Sequence, residues 1–461
     1  MKDYDVAVIG AGVIGCFIAK ELSKYDLKVV VLEREPSVGM GPTKGCSGII
    51  HPFQLPFNSL KGKLCLEGNK MMDDEAKELG FKFKRVGLIL IARNRISNII
   101  IRLIKFYFSR YLRVEYLPRS KIISMEPNVT EEVCGGLFFP DAGVVNPVEM
   151  TFRARRFAEL NGVEFRFERE VTGIERERDF FKITSETDGR ETITSRYVIN
   201  CAGLYADEIA GMIGDFSFKI EPGKGAHVIF DDRDFTYHIM AAIPLKPDRK
   251  TKGGGALVTI DGNIIWGPSL VDASDKEDRS VNVEDVKRLI EKHSKVFKEM
   301  PKKPIAVYSG VRAMAGKDFI INSPVKNFIN VAGIQSPGLT AAPAIAKLVL
   351  RILRNSGLEL KNKPYKSDAK KDVNIFKKVI FTGEREIPYF IEDELVCHCN
   401  LVTFQEINDT IDDGASTFDE IKHLTGCSMG CRKCMPDVIE IMHKRGLKLR
   451  KDFKNSYIVW K

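Results

Sequence analysis

The chain of 461 residues is 44% hydrophobic and 29% charged, with a net charge of +9. That length fills two or three domains of ~150 residues each, and the composition excludes a short binding module, a disordered chain and a fibrous one. The positive charge is spread along the chain and forms no nucleic-acid-binding run, whereas five of the ten cysteines crowd between Cys397 and Cys434.

In chain order, Tyr4 to Ile9 is a short β-branched run and Ile14 to Leu22 has helical apolar spacing. Leu27 to Leu32 is a second, nearly continuous apolar strand of the kind buried in a parallel sheet. Apolar residues begin at Val6 without a charged leader or cleavage pattern, and the scattered cysteines show no disulfide spacing. Together these predict a reducing, cytoplasmic setting. Asn98 to Leu112 is apolar and helical, but Arg102, Lys105 and Arg110 interrupt it, short of the ~20 apolar residues of a membrane span. It reads as an amphipathic core helix, with peripheral contact to a membrane surface as the alternative.

Pro147 to Asn161 is a helix with Glu149 in its first turn and Gly162 past its end. Val163 to Phe167 is a strand, and Arg196 to Ala202 a buried strand ending at Gly203. Phe81 to Ala142 and Ser217 to Tyr308 carry alternating strand patterns, Gly/Pro turns and long helices, which predicts one domain inserted twice into another. Asn327 to Ala332 returns to a short strand, and a long helix runs from Ala341 to Leu353. The Lys-rich stretch after Gly357 reads as a linker or strap, and a last compact unit begins near Leu395.

Gly10-Ala11-Gly12-Val13-Ile14-Gly15 lies between the first strand and its helix. Gly10 permits the tight turn, Gly12 lets a pyrophosphate approach the backbone, and Gly15 lets the helix pack on the sheet. Glu33 closes the second strand, where a carboxylate accepts hydrogen bonds from ribose hydroxyls. FAD and NAD share this fingerprint, so these residues alone define a dinucleotide site without naming its occupant.

Six blocks in order resemble the D-amino-acid-oxidase-like superfamily of FAD enzymes, with most likeness to glycerol-3-phosphate dehydrogenases and L-2-hydroxyglutarate oxidases. They are the fingerprint, Gly48-Ile49-Ile50-His51, Asp141 to Pro147, Ala202 to Asp207, Ser309-Gly310-Val311-Arg312 and Gly333 to Thr340. The resemblance implies an α/β fold in which a Rossmann-like FAD domain (1–80, 143–215 and 309–360) interleaves with an α+β substrate domain (81–142 and 216–308). It implies that Ser47, Ala202 and Gly203 join the fingerprint in holding FAD. Gly338, Leu339 and Thr340, just before the Ala341 helix, would point that helix's positive end at the flavin. His51 would lie beside the ring near the substrate hydroxyl, and Arg312 would hold an anionic substrate group. Lys252, Lys317, His227 and Tyr237 are further pocket candidates. Pro52 and Phe53 follow His51 where relatives carry small residues, and Thr43-Lys44-Gly45-Cys46-Ser47 lacks a frequent Asn. FAD is expected to be held noncovalently, with Cys46 close by.

Cys397-His398-Cys399 is followed by Cys431-Arg432-Lys433-Cys434. Two tight pairs of thiolates suit either an iron–sulfur cluster or structural zinc. The segment resembles the [2Fe–2S] domain of bacterioferritin-associated ferredoxin, which implies a small helical domain at 395–445 with Cys397, Cys399, Cys431 and Cys434 as ligands and Cys427 as a bystander. Residues 361–394 are then a linker and 446–461 a basic tail.

Flavin and cluster together imply a dehydrogenase that oxidises a CH–OH group of a small anion, glycerol 3-phosphate first, and passes electrons to a redox partner subunit or a quinone. L-2-hydroxyglutarate, an amino acid, and a non-catalytic electron-transfer subunit are the alternatives. No nucleic-acid partner is expected.

Overall fold

The computed structural model describes residues 3–186, 189–232, 234–243, 255–269, 271–273, 275–302, 304–366, 374–378, 386–390, 395–397, 402–428 and 434–447. The first strand, β1 (Tyr4–Ile9), the helix α1 (Val13–Leu22) and the second strand, β2 (Val29–Leu32), form where the apolar pattern places them. β1 pairs in parallel with β2 on one side and with Arg190–Asn200 on the other, with Val8 opposite Val31 and Ile199. Glu164–Arg166 extends the parallel sheet beyond β2, and Phe328–Ala332 extends it beyond Arg190–Asn200.

β1 is apolar on both faces because both are covered. Val6 and Val8 pack with α1 and the Gly338–Asn355 helix, whereas Ala7 and Ile9 pack with Val171, Ile174, Phe181 and Ile183 of an antiparallel meander. The Arg190–Asn200 strand starts six residues earlier than its apolar half predicts. Its polar first half continues the ladder to Phe181–Glu186. The final long helix begins at Gly338, not Ala341, so Gly338, Leu339 and Thr340 form its first turn.

A second sheet, of nine strands, takes members from both halves of the middle of the chain. Leu88–Ala92 pairs in parallel with Ile239–Ala242, and Glu221–Phe230 runs antiparallel to Pro304–Met314 along nearly its whole length. A small third sheet (Ile49–Ile50, Gly143–Val145 and Phe83–Arg85) delivers His51 directly after its first strand. The helix α2 (Leu60–Leu79) packs against the Gly338–Asn355 helix and starts from a Ser59 side chain that accepts from the Gly62 N–H.

The helix α3 (Arg95–Phe108) is capped reciprocally by Asn94 and Ser97. It buries Ser97, Ile101 and Phe108 but turns a second apolar stripe outward, unlike a helix enclosed in a core. Within the expected linker, Asn374–Lys378 and Glu386–Phe390 form an antiparallel ladder. Among the described residues the C-terminal unit carries three helices (Phe404–Asp412, Phe418–Thr425 and Met435–Lys444), the first two opened by capping boxes at Thr403 and Thr417. Its apolar core is continuous with Ile229, Leu257, Ile265, Ala306 and Tyr308 of the second sheet.

His293, on Val283–Ser294, is 2% exposed, and burial followed by the nearby Lys292 charge pushes its pKa down to about 3. The folded chain keeps this ring neutral while the unfolded chain protonates it near the ordinary value of ~6.5. Stability is therefore full above that value and falls as the pH drops toward 3, by up to ~1.4 kcal/mol per unit. Urea midpoints measured at pH 7 and 5 are expected to separate, and to separate less in His293→Leu.

Candidate active site

The fingerprint folds as its chemistry requires. Gly10 has φ +101°, and a Cβ there would stand 2.5 Å from the Cys201 carbonyl oxygen, beside Ala202. A Cβ on Gly15 would collide with the Gly10 carbonyl. Gly12 is uncrowded: a Cβ there would meet only Thr43 Oγ1, at an ordinary contact distance of 3.5 Å. It caps α1 with no side-chain hydrogen bond. The first N–H of α1, that of Val13, donates to Thr43 Oγ1 at 3.1 Å, and the glycine turn in front of this helix start suits a pyrophosphate. Glu33 sits at the end of β2, its Oε2 accepting from the Ala11 N–H at 2.6 Å and its Oε1 from the Glu35 N–H at 3.0 Å. Burial raises its pKa, and the two N–H groups oppose that shift. Gly203 opens a short turn at φ +59°, close to Pro42. Gly10, Ala202 and Gly203 thus gather with Gly12 at the C-terminal ends of the parallel strands, and the residues present fit a dinucleotide.

His51 sits at the centre of a second constellation. Its backbone N–H donates to Thr340 Oγ1 at 2.8 Å, and its Nε2 lies 3.1 Å from Ser336 Oγ. Its carbonyl accepts from Asn69 Nδ2 at 2.8 Å. Asn69 also donates to the Asp141 carbonyl at 2.9 Å and accepts from Arg85 Nη1 at 2.9 Å. Thr340 and Asn69 thus fix the His51 backbone at the start of the Gly338–Asn355 helix, and Ser336 meets the ring itself. Burial, then the Arg312 charge, pushes its pKa down to about 4, so the imidazole is neutral at physiological pH.

Sequence reasoning assigned no role to Ser336, Asn69 or Arg85. The available signal for Asn69 was a polar residue in register with the buried Cys65, Gly68 and Met72 of α2.

Arg312 lies on Pro304–Met314 opposite Gly223. Side chains two apart share a sheet face, so Tyr308, Gly310 and Arg312 face the same way as their partners His227, Gly225 and Gly223. The loop carrying Cys46 and Ser47 crosses this face: a Cβ on Gly45 would stand 2.6 Å from Gly310 Cα. Burial lowers the Arg312 pKa, opposed by Cys46. Arg312 makes no ion pair or hydrogen bond among the described residues.

Because backbone meets backbone at Gly45 and Gly310, neither neighbour can yield to a methyl group. Gly310→Ala is expected to lower the unfolding midpoint and the FAD content together, checked by thermal unfolding and by flavin absorbance. Gly316→Ala serves as the control, since no neighbour crowds that site, although its φ of +65° adds local backbone strain.

His227 stacks on Tyr308 at 4.7 Å and 10°. Ser47 lines a separate small cleft with Asn146, Ile229, Thr259, Asp261 and Asn263. Tyr237 is exposed, and only the Lys317 carbonyl is engaged, by Lys61. Lys252 lies outside the described residues. In the C-terminal unit, Cys397, Cys427 and Cys434 are buried in one apolar cluster, and Ser428 Oγ lies 3.1 Å from Cys434 Sγ. Cys399 and Cys431 lie outside the described residues. Paired cysteines with a buried apolar surround fit a thiolate-ligated cluster.

Residues 5–352 match the FAD dependent oxidoreductase family, and residues 395–444 match the BFD-like [2Fe-2S] binding domain. The chain therefore belongs to the FAD dependent oxidoreductase family, with a [2Fe–2S] unit at its C-terminal end. It is 34% identical to a glycerol 3-phosphate dehydrogenase of Caloramator mitchellensis, over 99% of this chain and 98% of that protein. An L-2-hydroxyglutarate dehydrogenase of Escherichia coli strain K12 is 27% identical over 59% of this chain and 65% of its own length. Among solved structures, the dithionite-reduced, FAD-bound L-alpha-glycerophosphate oxidase of Mycoplasma pneumoniae superposes with a TM-score of 0.74. It is 25% identical, and the match covers 80% of this chain and 99% of the oxidase.

Proposed function

We propose that this chain oxidises glycerol 3-phosphate to dihydroxyacetone phosphate and passes the electrons onward through its C-terminal cluster to a partner subunit or a quinone. One observation carries the reading: a half-buried, desolvated guanidinium without a counter-ion among the described residues, beside a neutral histidine held at a helix start. A buried cation is costly unless an anion completes it, and Arg312 offers a planar fork to a phosphate or carboxylate.

Gly10, Gly12, Gly15, Glu33, Ala202, Gly203 and the Gly338–Thr340 turn would hold FAD, which when bound would supply the hydride acceptor. Arg312 fixes the anionic end of the substrate. His51 Nε2 accepts the hydroxyl proton as the C–H bond breaks, a role suited to a ring that is neutral at working pH. Thr340 and Asn69 hold the His51 backbone, and Ser336 orients the ring. Cys397, Cys399, Cys431 and Cys434 are the proposed ligands of a one-electron carrier. The cluster-bearing unit packs against Ala306 and Tyr308, on the strand and the face that carry Arg312. Such contact serves a dehydrogenase handing electrons to a partner better than an oxidase meeting O₂ directly.

Turnover assays with a soluble dye acceptor test the reading. Glycerol 3-phosphate is expected to be the best substrate in a panel with L-2-hydroxyglutarate and amino acids. A higher kcat/KM for L-2-hydroxyglutarate would move the carboxylate into the Arg312 site and overturn the substrate assignment.

A further inference from the structure

α3 carries two apolar stripes, and only one is covered. Ser97, Ile101 and Phe108 face inward, where Ile101 and Phe108 pack with Phe57, Ala92, Leu137 and Phe139. The outward stripe holds Ile96, Ile99, Leu103 and Phe106, spaced one or two helical turns apart. Ile96, Leu103 and Phe106 are 68%, 71% and 68% exposed, and Tyr107 and Tyr111 are exposed beside them. Of the fifteen large apolar side chains exposed among the described residues, seven fall between Ile96 and Tyr111.

The polar complement of this stripe has one sign. From Val86 to Val114 there is no Asp or Glu, while Arg95, Arg102, Lys105 and Arg110 border the stripe. None of these four has a carboxylate partner among the described residues. Arg102 lies over the Tyr116 ring at 4.4 Å and Arg110 over the Phe106 ring at 5.0 Å, which keeps both cations at the edge of the apolar surface. Protein interfaces favour arginine and aromatic residues as well, but they disfavour lysine, and a border carrying Lys105 and no carboxylate at all sets this stripe apart. An apolar stripe edged by unpaired cations and tyrosines instead matches the headgroup boundary of a bilayer containing anionic lipid.

We infer that α3 is a membrane-surface anchor, lying in the plane of an anionic lipid leaflet with Ile96, Ile99, Leu103 and Phe106 below the headgroups. It does not span: no helix among the described residues is long and apolar enough to cross a membrane. The anchor stands directly on the segment that carries the proposed base. Phe53, two residues after His51, packs on Phe108 at 4.6 Å, and Phe57 stacks on Tyr111 at 4.2 Å. Docking therefore sets this side of the enzyme against the bilayer.

Flotation of the full-length, cofactor-loaded chain tests the inference. Wild type is expected to rise with vesicles of phosphatidylcholine and phosphatidylglycerol, to bind pure phosphatidylcholine much less, and to be released by salt. The variant Ile99→Ser, Leu103→Ser, Phe106→Ser is expected to lose vesicle binding about tenfold or more. Arg102→Gln with Lys105→Gln is expected to bring binding on mixed vesicles down to that on phosphatidylcholine. Both variants should keep wild-type circular dichroism and turnover with a soluble dye. Wild type that stays in the supernatant with both vesicles, or a serine variant that still floats, overturns the anchor. So does a wild-type dimer in solution that the serine variant dissociates, because the stripe would then belong to a second copy of the chain.

Discussion

Arg312→Leu is expected to raise the KM for glycerol 3-phosphate by roughly 30-fold to several-thousand-fold, the equivalent of ~2–5 kcal/mol for truncating a desolvated charge that pairs with the bound substrate. The side chain makes no ion pair or hydrogen bond among the described residues, so its removal leaves no protein carboxylate stranded. The loss therefore appears in substrate binding rather than in folding. Stability is expected to hold or to rise, because a half-buried, desolvated charge has been replaced by an apolar group. Arg312→Lys should recover only part of the affinity, since an ammonium cannot offer two parallel N–H donors. Steady-state kinetics with a soluble dye, beside flavin content and thermal unfolding, separate the cases. An unchanged KM with lost flavin would reassign Arg312 to the cofactor.

His51→Gln is expected to lower kcat by about 10²–10⁴ while FAD content stays at wild-type level. The pH profile carries the sign. Burial and Arg312 hold the His51 pKa at about 4, so the base is neutral and competent across the physiological range. Activity falls only as the pH drops through that value and the ring takes a proton. The acid limb of kcat/KM is thus expected near pH 4 rather than at the ordinary ~6.5 of histidine, and it should vanish in His51→Gln. Ser336→Ala and Thr340→Val leave the ring in place but loosen it, so each should reduce kcat less than the glutamine does. A limb near the ordinary value that survives His51→Gln would assign the proton to another group.

Much of the dinucleotide half was legible because its signals are local. A strand, a glycine turn, a helix and a second strand with a terminal acid occupy one short stretch, and each residue type answers a need of that stretch alone. The blocks carrying His51 and Arg312 were legible only by resemblance, since 261 positions separate them and no periodicity joins them. Asn69 and Arg85 escaped notice because their roles exist only once α2, the Phe83–Arg85 strand, the Asp141 turn and the His51 carbonyl converge on the Asn69 side chain. The Arg190–Asn200 strand was read short because Thr192 and Thr194, polar and alternating, belong to its antiparallel half. For α3 the pattern predicted amphipathicity correctly but not which apolar stripe is covered, a question that tertiary packing alone decides.

The central claim is that one chain takes two electrons from glycerol 3-phosphate and holds an iron–sulfur centre to carry them away. Anaerobic titration of the purified, full-length chain with glycerol 3-phosphate, followed by absorbance and electron paramagnetic resonance, tests it most directly. Bleaching of the flavin band is expected together with the low-temperature signal of a reduced [2Fe–2S] cluster. Cys434→Ser is expected to abolish the cluster signal while the flavin still bleaches. A flavin that stays yellow under excess glycerol 3-phosphate, or a chain whose C-terminal cysteines hold zinc and no iron, would contradict the claim.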